Sequence, residues 1–92
     1  MKLKVNESLT IPGLLSVYQS FERVNGFEPG TMVTFNDIED IDALVKEITS
    51  HTFNTITVLT DTGDVITTFK VGEISSIDKT VNNDLQVLIR IS

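Results

Sequence analysis

The side chains best able to do chemistry in this sequence are carboxylates. Asp37, Glu39, Asp40, Asp42 and Glu47 crowd one short stretch, and Asp61 and Asp64 flank Thr62-Gly63. A calcium loop also spaces its oxygen ligands closely. It needs a glycine for the sharp turn, and here Ile38 and Ile41 interrupt the acids instead. The same acids suit the first turn of a helix, where the dipole favours negative charge. His51 is the single histidine and there is no cysteine, so disulfides and thiolate or paired-histidine metal sites are excluded. No metal or cofactor is expected. Nothing marks a nucleophile, since Gly-x-Ser-x-Gly is absent, and no glycine-rich loop could cradle a phosphate. His51 reads as a histidine at a helix C-terminus, favourable to the dipole.

Asp61-Thr62-Gly63 resembles the catalytic tripeptide of aspartic proteases. In the retroviral type, two short chains each donate one such aspartate to a shared dyad. The resemblance implies a dimer with Asp61 as its catalytic residue. It departs at Asp64, which stands where a small residue is usual and would crowd a second charge into the dyad. A glycine-containing hairpin turn accounts for the same residues, and the reading adopted is non-enzymatic.

The chain has 92 residues and a net charge of −6, which bounds it to one domain. The charge is uneven. Acids and bases balance in residues 1–30 and in residues 65–92, so the whole excess lies in residues 31–64, where Lys46 is the lone base. That balance disfavours direct nucleic-acid binding, which needs Lys and Arg against phosphates. It favours a basic protein partner. No run is long and apolar enough for a signal peptide or a membrane span, so the expected location is cytoplasmic, with no membrane contact. Asn6-Glu7-Ser8 matches a glycosylation sequon and is read as chance.

The elements that must position these residues centre on a hairpin, Asn54 to Val71. Runs rich in Thr, Ile and Val flank Asp61-Thr62-Gly63-Asp64, as strands around a turn do. Pairing Thr60 with Val65, Val58 with Thr67 and Ile56 with Phe69 places Ile56, Val58, Val65, Phe69 and Val71 on one face. Leu59 and Ile66 are then the apolar members of the wet face. Ile38, Ile41, Leu44, Val45 and Ile48 form a helical stripe over residues 37–50, capped by Asn36 or Asp37 with Glu39 completing a capping box. Leu14, Val17, Tyr18 and Phe21 share the same spacing up to Asn25-Gly26, so residues 13–25 read as a second helix or, imperfectly, as a strand. Lys2 to Val5 reads as a short edge strand, Ile11-Pro12-Gly13 as a break, and Thr31 to Phe35 as a strand. Gly72 reads as a bend, Asn82-Asn83-Asp84 as a turn, and Leu85, Val87, Ile89 and Ile91 as the inner face of a last strand. No internal repeat is visible.

The order of helix, bent hairpin, Val71-Gly72-Glu73-Ile74-Ser75-Ser76-Ile77-Asp78 and final strand, over residues 38–91, is similar to that of small SH3-like or Sm-like barrels. The resemblance implies a partly open barrel that assembles through strand edges. The fold class expected is α+β, a small single domain with an antiparallel sheet of about 4–5 strands beside the helix. The function expected is a protein-interaction module, in the manner of a small acidic inhibitor or accessory protein of a phage or mobile element. Its binding surface would be Asp37, Glu39, Asp40, Asp42 and Glu47. The alternative is a self-associating structural subunit, a homo-oligomer joined by a sheet edge or by an outer face carrying Leu59, Ile66 and Leu88.

Overall fold

Alternation of apolar with polar residues draws most of this chain into strands. The computed structural model describes residues 1–20 and 29–90. In chain order the elements are β1 (Lys2–Val5), β2 (Leu9–Pro12), β3 (Leu14–Ser20), β4 (Gly30–Phe35), α1 (Ile41–Thr49), β5 (Thr55–Leu59), β6 (Val65–Lys70), β7 (Ile74–Lys79) and β8 (Leu85–Arg90). The chain is a small α+β domain, as expected, but its strands form two open antiparallel sheets and not one. Sheet A has the order β2-β1-β5-β6 and sheet B the order β3-β4-β8-β7. The helix–hairpin–bend–hairpin order is present, yet β5–β6 and β7–β8 belong to different sheets. Each is completed by strands from residues 2–35, so the single sheet of the barrel resemblance is replaced by a sandwich.

One core fills the space between the sheets. Leu3, Val5, Ile11, Ile56 and Val58 come from sheet A, and Leu14, Val33, Phe35, Leu85, Val87 and Ile89 from sheet B. Ile48 of α1 and Phe53 just after it join this core. They line an interior space with Leu3, Ile11, Val33, Phe35 and Val87 that is too tight to admit a water molecule. The helix therefore lies against the core shared by both sheets. Burying side chains of this size contributes about 1.5–3 kcal/mol each.

The chain passes from one sheet to the other at two glycines, as strands do at the corners of sandwiches. Gly13 joins β2 to β3 with φ +81°, and Gly72 joins β6 to β7, its N–H donating to the Arg90 carbonyl at 2.7 Å. Each half of the chain thus supplies one hairpin to each sheet. Exchanging β1 with β5, β2 with β6, β3 with β7 and β4 with β8 reverses both strand orders and leaves both sheets unchanged. The two halves even share a bulge after the crossing, between Leu14 and Ser16 and between Ile74 and Ser76. Within the second half the two hairpin turns are also alike: Thr60 and Thr80 each accept from the residue three ahead and close on Asp64 and Asp84. This two-fold repeat is not visible in the sequence, because most of the matched positions carry different residues.

Those bulges explain where the sequence reading fails. A bulge adds one residue to a strand, so Leu14 and Val17, three apart, both face the core. That spacing mimics a helix, but residues 14–20 are strand, with Tyr18 outward and 67% exposed. The proposed second helix is thereby corrected over 14–20, and Phe21 with Asn25-Gly26 lies outside the described residues. A third bulge, at Ile66, lets Val65 pair with Leu59 in place of Thr60. It turns Val65 out to 66% exposure, against the expected inner face. β1 is not an edge strand but lies between β2 and β5, and Ile11-Pro12 belongs to β2. The remaining hairpin register, Ile56 with Phe69 and Val58 with Thr67, is as read. The last strand has Leu85, Val87 and Ile89 buried as read, with Ile91 outside the described residues.

The helix is shorter than expected and starts later. Asn36 is held by the sheet, its N–H donating to the Gly13 carbonyl at 2.9 Å. Asp37 sits at φ +54°, which a right-handed helix cannot contain. Asp40 is the cap, its carboxylate accepting from the Ala43 N–H at 3.1 Å.

Candidate functional site

The acidic stretch is brought to the surface around α1. Asp37 and Glu39 precede the helix, Asp40 caps it, and Asp42 and Glu47 lie on its exposed side. Among the described residues, none of these five carboxylates lies within ion-pair distance of a cation; the pairs formed are Met1–Asp61 and Lys4–Glu7, each at 2.9 Å. No three acidic or histidine side chains of the described residues converge closely enough to hold a metal ion.

Asp61 lies at an exposed turn, 84% accessible, with the N-terminal ammonium 2.9 Å away. A hydrogen bond and charge attraction from that ammonium hold its carboxyl below the usual aspartate range, and Lys2 adds to this. A shared-proton dyad needs the opposite shift in one member. His51 follows α1, and its Nδ1 lies 2.8 Å from the Glu47 carbonyl oxygen. A carbonyl only accepts, so Nδ1 carries the proton. The Ser50 hydroxyl, 3.3 Å from the same nitrogen, also donates to Glu47, at 2.8 Å. Nδ1 is therefore not placed to take a proton from Ser50. Beside it an open groove of about 450 Å³ is lined by Thr49, His51, Thr52, Phe53, Glu73 and Ile74.

The residues named for self-association are not brought together. Leu59 lies on central strand β5 between Lys2 and Val65 and is only 9% exposed. Ile66 is exposed at the edge of sheet A, and Leu88 belongs to sheet B. All four edge strands are blunted. β2 ends in Pro12, and β3, β6 and β7 carry bulges at Leu15, Ile66 and Ser75. Proline and bulges discourage further strand pairing.

The surface that the sequence reading missed is the outer face of sheet B. Tyr18 pairs with Met32, Met32 with Leu88, and Leu88 with Ser76, so these four form one row across all four strands. Ser16, Thr34, Gln86 and Asp78 form the next row. Among the paired strand residues of this face the charged ones are Asp78 and Arg90. The outer face of sheet A contrasts with it, carrying Lys2 and Lys4 opposite Thr57 and Leu59, and Lys70 opposite Thr55. Alternation along Thr31 to Phe35 and Leu85 to Arg90 announces Met32 and Leu88 as outward, but only strand pairing sets Tyr18 beside them.

No family model matches the chain, and no curated protein or solved structure matches it. No helix among the described residues is long and apolar enough to cross a membrane.

Proposed function

We propose that this chain is a non-enzymatic protein-interaction module and that its contact surface is the outer face of sheet B. The observation that supports this is the Tyr18–Met32–Leu88 row. Interface centres are enriched in tyrosine, methionine and arginine and depleted of most charged residues. This face has that composition within a chain of net charge −6. The test is photo-crosslinking. Benzoylphenylalanine replaces Tyr18, with Thr10 on sheet A as the control position, in extracts of cells that make the protein. A discrete adduct from position 18 and none from position 10 is the expected result. No adduct from position 18 refutes the reading.

A second reading rests on the acidic stretch. Five carboxylates stand against the one ammonium of Lys46, none of them ion-paired among the described residues. A basic partner would be met there, as by a small inhibitor or accessory protein. A crosslinker at Asp42 tests this in the same extract, and reversal of Asp40 and Asp42 to Lys should abolish that adduct.

A further inference from the structure

We infer that the partner of the sheet B face is a second copy of this chain, docked face to face about a two-fold axis running along the Tyr18–Met32–Leu88 row; this rests on the reading of that face as the contact surface. Three observations lead here. The edges are closed to strand addition by Pro12 and the three bulges, which leaves faces as the route to assembly. Among the paired strand residues of this face Asp78 balances Arg90, so two copies can meet on it despite their acidity elsewhere. The two charges are also placed for self-recognition. Asp78 lies opposite Gln86, two residues to one side of Leu88 on β8, and Arg90 lies two residues to the other side.

A two-fold along the row superposes the row on itself and exchanges its two sides. Asp78 of one copy then comes over Arg90 of the other, displaced by one strand spacing of about 4.8 Å, which an arginine side chain spans. The second Asp78–Arg90 pair follows by symmetry, as an isologous interface requires.

The size of the face sets the strength. Four strands of about six residues cover roughly 20 by 20 Å, about half of the ~800 Å² that each partner buries in a stable complex. The dimer is therefore weak, with a dissociation constant of about 10 µM to 1 mM.

The experiment is light scattering and sedimentation equilibrium of the pure chain over that range, with circular dichroism confirming the fold of each variant. Twice the mass of one chain at the top of the range is expected. Tyr18→Glu, at an exposed position, should raise the dissociation constant at least tenfold. Asp78→Arg and Arg90→Asp should each raise it about tenfold, and the double swap should return it to within about threefold of the parent. A monomer throughout overturns the inference, as does a dimer indifferent to Tyr18→Glu. Single swaps without effect, or a double swap that fails to rescue, overturn the two-fold placement. The crosslink at position 18 separates the two levels. An adduct with another protein, with no dimer, keeps the module and refutes the second copy; no adduct in the extract together with a monomer in the pure chain removes both.

Discussion

Replacing Gly13 by alanine tests the central claim about this fold, that the chain changes sheets there in a conformation closed to side chains. Gly63 provides the internal control. Both glycines have positive φ, +81° and +96°. A Cβ at Gly63 would meet nothing within 4 Å, whereas at Gly13 it would meet the Asn36 carbonyl oxygen at 2.6 Å. The left-handed region costs an L-residue about 1–2 kcal/mol, and the reduced freedom of the unfolded chain returns about 0.4–1 kcal/mol. Gly63→Ala should therefore destabilise by about 1 kcal/mol. At Gly13 the obstructing atom is backbone, and Asn36 is itself hydrogen-bonded to the Gly13 carbonyl. Neither side can yield alone, and overpacking of this kind adds about 1–3 kcal/mol. Gly13→Ala should cost about 2–4 kcal/mol and lower Tm by roughly 10–25 °C, against about 4–8 °C for Gly63→Ala. Far-UV circular dichroism with urea and heat measures both. Equal losses, within about 0.5 kcal/mol, would refute the close approach of β3 to Asn36 and with it the corner.

Three further expectations concern single side chains. Asn6, at φ +52°, donates to the Thr52 carbonyl and accepts from the Asn54 and Thr55 N–H groups at 2.7–3.1 Å; Asn6→Ala should cost about 2–4 kcal/mol at roughly 1 kcal/mol per bond, and Asn6→Asp, which keeps both acceptor bonds, should cost less in the same urea titration. Asp40→Ala should cost about 1 kcal/mol as a lost helix cap, while Glu39→Ala, expected from sequence to serve the helix start, should lie within about 0.5 kcal/mol of the parent. Asp61 is held ionised by the N-terminal ammonium, so its folded pKa lies below its unfolded one; its contribution is present above the unfolded pKa and is lost as pH falls through the folded value. Carboxyl NMR titration should show the depressed pKa, and N-terminal acetylation should return it toward the ordinary range.

The features that local residue patterns could decide were legible in the sequence. Gly63 and Asn83 sit at positive φ in the two turns, Leu85, Val87 and Ile89 face the core, and Ile41, Leu44, Val45 and Ile48 form one helical face. Alternation and turn chemistry determine such features over a few residues. The absence of cysteine and the single histidine equally limited the chemistry before any fold was known.

Pairing between distant segments decided the rest. A bulge exists only relative to a partner strand, so Leu14 and Val17 read as a helix until β4 lay beside them. Asn6 looked like part of a chance sequon, although its side chain ties the β1–β2 turn to the chain entering β5, a link between residues about half the chain apart. Which hairpin enters which sheet is settled by the β1–β5 and β4–β8 ladders, neither of which leaves a local trace. The same ladders assemble Tyr18, Met32 and Leu88 into one face and part Leu59, Ile66 and Leu88. A residue's outward direction follows from its immediate neighbours in sequence, but the surface it belongs to depends on strands that fold beside it from elsewhere.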